Sequence, residues 1–191
     1  MKPAKLIPIV FILFIFIPLL AAKDGPVPPQ RMEIPFETAW NTMLEALEND
    51  QSVISTEDRG RGYIRTRYRE FASGLLTQSH LEKIGTDTEV SDGSYVKVEY
   101  QYEVDIRLVS ERLTIITADA NIRALHRNFL GEEKWIDIKS NGHREEYLLN
   151  SFGKILWGED WEMEYSKKRR GKKHYALPSD LNERVASPER P

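Results

Sequence analysis

Arg65, Arg67 and Arg69 recur at every second position of the run GYIRTRYREF. On an extended strand that spacing turns three guanidinium groups to one face, roughly 6.6–6.8 Å apart. Such a ladder suits an anion or an acidic partner surface, so the three arginines are candidate partner-binding residues. The competing use is internal. Glu99, Glu103 and Asp105 lie on one face of another strand-like run, and cross-strand pairing with them would consume the ladder. A second basic feature is KKRRGKK, in which Lys167, Lys168, Arg169, Arg170, Lys172 and Lys173 set six positive charges in seven positions. It is a candidate contact for an anionic lipid surface or an acidic polymer. The alternative is a solvated tail.

Other residues with chemical potential do not assemble. The nucleophile elbow, H-E-x-x-H, the P-loop and the dinucleotide fingerprint do not occur in the chain. His80, His126, His143 and His174 are scattered without metal-ligand spacing. Glu132-Glu133 and Glu145-Glu146 are adjacent pairs. Neighbours along a helix do not face each other, so both pairs read as solvated surface rather than as an acid/base couple. Cysteine is absent, which excludes disulfides, thiolate metal sites, a cysteine nucleophile and a lipid anchor on a thiol. The expectation is a protein that is not an enzyme and needs no cofactor.

The elements that must position these residues come from a chain of 191 residues, enough for one domain with a real core plus tails. A net charge of −3 argues against a nucleic-acid binder with a basic surface. Residues 6–22 carry no charge behind Lys2 and Lys5, the pattern of a secretory signal peptide or an uncleaved membrane anchor. Without residues 1–22 the chain loses those two lysines, and 25 basic residues then face 30 acidic ones, a net of −5. Residues 23–33 read as a Pro-rich linker, 34–158 as the folded domain and 159–191 as a basic, largely disordered tail.

Within the domain, Phe36, Ala39, Trp40, Met43, Leu44 and Leu47 form one stripe of an amphipathic helix with Pro35 in its first turn. A short strand at Val53-Ile54, the turn DRGRG and a β-like run from Tyr63 to Phe71 follow. Thr77 to Ile84 reads as a short helix with Thr77 as N-cap. From Tyr95 to Val109 apolar and polar residues alternate strictly, which predicts a long antiparallel strand with one wet face. Ser110-Glu111 is the hairpin connection, and the return strand carries Ile116, Ala118, Ala120, Ile122 and Ala124 on one face. Trp135 to Ile138 is a further strand. Asn141-Gly142 opens a last helix with Tyr147, Leu148, Phe152, Ile155 and Leu156 as its stripe, and Gly158 stands at its end. Antiparallel strands bracketed by helices predict an α+β two-layer sandwich, with the N- and C-terminal helices on one face of the sheet.

The run PFETAWNTMLEALENDQSVISTEDRGRGYIRTRY resembles the repeated unit of BamC-type outer-membrane assembly proteins. The shared elements are a helix with its tryptophan (Trp40), a strand, the turn with Asp58, Arg59 and Gly62, and a strand with Ile64 and Thr66. The run LHRNFLGEEKWIDIKSNGHREEYLLNSFGKILWGE fits the rest of such a domain. The likeness spans about residues 34–158. It implies a helix-grip fold and a non-enzymatic role beside the β-barrel assembly machinery of a Gram-negative outer membrane, with an envelope protein as partner. The chain departs from the family in lacking a lipoprotein cysteine, in holding one such domain rather than two, and in its basic tail. The alternative function is a periplasmic carrier, with a lipid or other apolar ligand lodged between helix and sheet where Ala118, Ala120 and Ala124 leave room.

Overall fold

The computed structural model describes residues 26–164, Ser166 and Lys167. Residues 1–25 and most of the basic run lie outside the described residues. In chain order the elements are β1 (Gln30–Met32), α1 (Phe36–Asn49), β2 (Ile54–Asp58), β3 (Tyr63–Thr66) and β4 (Arg69–Ser73). A 3-10 turn (Gly74–Leu76), α2 (Thr77–Ile84), β5 (Gly93–Ser110), β6 (Leu113–Asn128), β7 (Glu133–Ile138) and α3 (His143–Trp157) complete them. Among the described residues this is an α+β fold: one antiparallel sheet of seven strands with the helices α1, α2 and α3. Among the described residues no helix is long and apolar enough to cross a membrane.

The β5–β6 hairpin is the spine of the sheet. Its ladder runs from Gly93 opposite Asn128 to Ser110 opposite Leu113. Short strands lie end to end along both outer edges. β3 pairs β5 at Glu103–Asp105 and β4 pairs it at Lys97–Tyr100, while β1 pairs β6 at Thr114–Ile116 and β7 pairs it at Ile122–Arg127. β2 closes the far side on β3. Alternation puts Val98, Tyr100, Tyr102, Val104 and Ile106 on one face with Ile116, Ala118, Ala120, Ile122 and Ala124, all buried. On that face α1 presents Ala39, Trp40, Met43 and Leu47, and α3 presents Leu148, Leu149 and Phe152. Each large side chain buried here contributes roughly 1.5–3 kcal/mol against exposure.

Where two edge strands meet end to end, the ladder is interrupted, and side chains complete it. Between β3 and β4 the Thr66 hydroxyl accepts the Tyr102 N–H at 2.9 Å, and the Thr66 carbonyl accepts Gln101 Nε2 at 2.7 Å. Between β1 and β7 the Glu145 carboxylate accepts the Ala120 N–H at 3.1 Å. In this way buried backbone donors stay paired across both gaps.

Several expected boundaries are corrected. The segment read as a Pro-rich linker carries β1, and Val27 is buried against the core. The domain also extends past Gly158. Trp161 covers Gly153, Met163 is buried, and the Met163 N–H donates to Asn150 Oδ1 at 2.9 Å. A Cβ at Gly153 would collide with the Trp161 ring, so this glycine makes room for the returning chain. Tyr165 lies outside the described residues. Pro35 is the N-cap of α1 rather than part of its first turn. Thr77 is the first residue of α2 rather than its cap, and its hydroxyl donates to the Gly74 carbonyl at 2.7 Å. At the Asp58 turn, Gly62 has φ +68° and lies against the Ile106 carbonyl, a position no side chain tolerates.

Candidate functional site

The arginine ladder does not form one face. The chain leaves the sheet at Arg67-Tyr68, between β3 and β4. Arg65 stands opposite Glu103, but Arg69 stands opposite Tyr100. Four residues on one side thus span three on the other, and a slip of one residue turns every later side chain to the opposite face. Arg65 stays on the face away from the helices and pairs with Glu103 at 2.9 Å. Arg67 is exposed between the strands, with its N–H on the Val53 carbonyl at 2.7 Å. Arg69 points into the helix side, 3.5 Å from Asp50.

Two polar clusters result, one on each face. On the helix side, Asp50 at the C-terminal end of α1 meets Arg144 in the first turn of α3. Arg144 Nη2 donates to Asp50 Oδ1 at 2.7 Å and to the Tyr100 hydroxyl at 2.8 Å. The Tyr100 hydroxyl donates to Asp50 Oδ2 at 3.0 Å, and Ser52 Oγ donates to the same oxygen at 2.6 Å. Arg69 Nη1 reaches the Tyr100 oxygen at 3.3 Å. The side chains of Arg144 and Asp50 are only 10% and 5% exposed. The guanidinium carbon of Arg144 lies 4.2 Å from the Tyr100 ring centroid and 4.8 Å from that of Tyr147. Burial pushes the Tyr100 and Tyr102 phenols up, Tyr102 well above the ordinary tyrosine value. Both stay neutral hydrogen-bonding groups rather than bases.

Glu145, the next residue of α3, is fully buried, not solvated as its pairing with Glu146 suggested. Besides the Ala120 N–H it accepts Ser140 Oγ at 2.8 Å. Burial pushes its pKa up, and the hydrogen bonds from its own N–H, Ser140 and Ala120 only partly offset this.

On the outer face, Arg123 donates from both Nε and Nη2 to Glu99 Oε2, at 2.9 and 2.7 Å. Its guanidinium carbon lies 3.8 Å from the Tyr68 ring centroid and 4.4 Å from that of Trp135. Lys97 adds a contact to Glu99 at 2.7 Å and a weaker one to Glu70 at 3.3 Å. Burial pushes the Glu99 carboxyl up, but Lys97 and Arg123 together outweigh it and hold the pKa below the ordinary value. The acids Glu99 and Glu103 are thus engaged by strand neighbours, as cross-strand pairing requires, with Arg123 in the place the ladder left to Arg67 or Arg69. Trp135 is 38% exposed. All three helices lie on the other side, so no described element covers this face.

Lys167 is exposed at the end of the described chain, its N–H on the Met163 carbonyl at 3.2 Å. Lys168, Arg169, Arg170, Lys172 and Lys173 lie outside the described residues, as does His174. His80 packs on Phe71 and His126 on Tyr95, each with ring centroids within 6 Å. Among the described residues no three His, Asp or Glu side chains are grouped to hold a metal ion. Ala118, Ala120 and Ala124 are buried, and the Ala120 N–H is held by Glu145 of α3.

Sequence reasoning missed Arg144, Asp50, Arg123, Tyr68 and Trp135. Part of the signal was present. Arg144 and Glu145 stand four residues before Leu148 and Leu149, on the buried stripe of α3. Tyr100 and Tyr102 sit among the apolar positions of β5, where a buried hydroxyl needs a partner. No protein-family model matches the chain, and no curated protein sequence matches it.

Proposed function

We propose that this protein is a non-catalytic interaction module of the cell envelope, acting beside the machinery that assembles outer-membrane β-barrel proteins. The observation that carries the reading is the open outer face of the sheet, centred on Arg123 between Tyr68 and Trp135. Tryptophan, tyrosine and arginine are enriched among the residues that carry the binding energy of protein interfaces. The two aromatics bury a large area at low entropic cost, and arginine adds a planar fork of donors that stacks on rings. Arg65 and Glu103 give that centre a charged rim. The helix-grip resemblance agrees with the position of its motif residues. Trp40, Ile64 and Thr66 are buried, and Asp58 Oδ1 accepts the Arg61 N–H at 3.0 Å to close the Asp-Arg turn. Export from the cytoplasm, suggested by the leader, supplies the compartment.

In-cell photo-cross-linking tests the reading. A photoreactive residue at Trp135 is expected to capture components of the barrel-assembly machinery, and one at Trp157, half-exposed on α3, is expected not to. Capture of the same components from both positions removes the outer face from the argument. Capture from Trp135 without any of those components ends the assignment to barrel assembly.

A further inference from the structure

The Asp50–Arg144 cluster opens to solvent as a cleft of about 460 Å³ between the C-terminal end of α1, β4 and the first turns of α3. That size falls in the range of small-molecule sites. Three features of the cleft point to a ligand. First, two guanidinium groups share one carboxylate. Arg144 and Arg69 both face Asp50, while Glu70, the other acid on the rim, is held by Lys97 and by Ser73 Oγ at 2.8 Å. One positive charge is left over. Second, Arg144 is 90% buried with its Nη2 already held by Asp50 and Tyr100, which leaves Arg69 as the cation that faces solvent. Third, three aromatic residues, Phe71, Tyr100 and Tyr147, stand among the polar residues that line the space around the charge. Gln51 closes one side with a backbone φ of +58°, and its Oε1 accepts Arg69 Nη2 at 3.3 Å.

We propose that this cleft binds a small organic monocarboxylate with an aromatic or apolar body. A carboxylate carries the single negative charge that the cluster lacks, and its two oxygens match the fork of a guanidinium. The aromatic side chains take the body of the molecule, and Arg69 is the cation at the mouth, its side chain 37% exposed. This site is independent of the outer face and stands or falls separately from the envelope role.

The test is ligand-observed fluorine NMR on the full chain with three probes: para-fluorobenzoate, para-fluorobenzyl alcohol and para-fluorophenyl phosphate. The benzoate is expected to bind saturably in the millimolar range or tighter, the alcohol not to bind, and the phosphate to bind more weakly. Arg69→Gln is expected to weaken the benzoate about tenfold, since that arginine supplies the net charge. Tyr147→Ala removes only a wall and is expected to weaken it several-fold. Equal binding of the alcohol, tighter binding of the phosphate, an Arg69→Gln variant with unchanged affinity, or no saturation by the benzoate overturns the proposal.

Discussion

Each face of the sheet holds an arginine stacked on aromatic rings and hydrogen-bonded to a carboxylate, yet the two clusters do different work. Arg144 and Asp50 join the first turn of α3 to the end of α1 across 94 residues of sequence, at the base of a cleft and with only 10% and 5% of their side chains in solvent. Arg123 and Glu99 join two neighbouring strands, with about a third of the arginine side chain in solvent. The same pair of groups is a clasp between two helices of one layer in one place and a link between neighbouring strands in the other. Burial makes the difference. A charge stripped of its partner inside cannot turn to water, and one at the surface can.

The largest expected effect breaks the inner cluster. Asp50→Ala leaves Arg144 as a buried charge without its counter-ion and should cost about 3–5 kcal/mol. Glu99→Ala, the matching lesion outside, leaves Arg123 about a third exposed to solvent and should cost about 1–2 kcal/mol through lost charged hydrogen bonds. Denaturant midpoints of the two variants measure the gap, and equal losses would mean that burial does not separate the faces.

Acidity sharpens the same comparison, because the two faces respond with opposite sign. Glu145, on the helix side, has a raised pKa in the fold. Its stabilising share is fully present below the ordinary glutamate value and is lost as pH rises through the raised one. Glu99 has a lowered pKa. Its share is present above the ordinary value and is lost as pH falls through the lowered one. Relative to the wild type, Glu145→Gln should therefore gain stability from mildly acidic to neutral pH. Glu99→Gln should be less stable at neutral pH, with the deficit closing in acid. Midpoints followed across that range check both slopes, and parallel slopes would contradict the assignment.

The smallest effect belongs to Arg65→Glu. This arginine is on the open face, and reversing its charge sets two carboxylates opposite each other at positions 65 and 103, so the loss should stay below about 1 kcal/mol. Its partner contacts are the quantity to watch, since the substitution reverses the charge on the rim of the proposed interface. A larger loss of stability would show Arg65 to be structural.

The long hairpin and both flanking helices were legible in the sequence because each rests on one sustained period. The alternation sets a single register for β5 from Lys97 to Leu108, and the stripes of α1 and α3 repeat at helical spacing. Bulges at Val96 and Val109 end that register, so that Tyr95 rather than Val96 is buried and Leu108 is exposed. The site was less legible, for a local reason. Alternation predicts one face for Arg65, Arg67 and Arg69 only while the strand continues. The break at Arg67-Tyr68 has no glycine or proline to announce it and is set by how β3 and β4 each dock on β5. Arg144 was overlooked because a charged residue at a helix start invites a solvent assignment. Its place on the apolar stripe argued the opposite, and its carboxylate partner lies too far along the chain for spacing to reveal.

β1 has a mechanical consequence. A pull on the chain ahead of residue 26 reaches the core through Val27 and the three rungs of β1 before it meets α1. Force along the strand loads those rungs together in shear, whereas force across it peels them one by one. In either direction the rim strand parts from Thr114–Ile116 while the β5–β6 ladder keeps every rung. Each residue released lengthens the tether by roughly 3.3–3.6 Å. Parting β1 also draws Val27 and Met32 out of the core, so each step of slack exposes apolar surface of the fold.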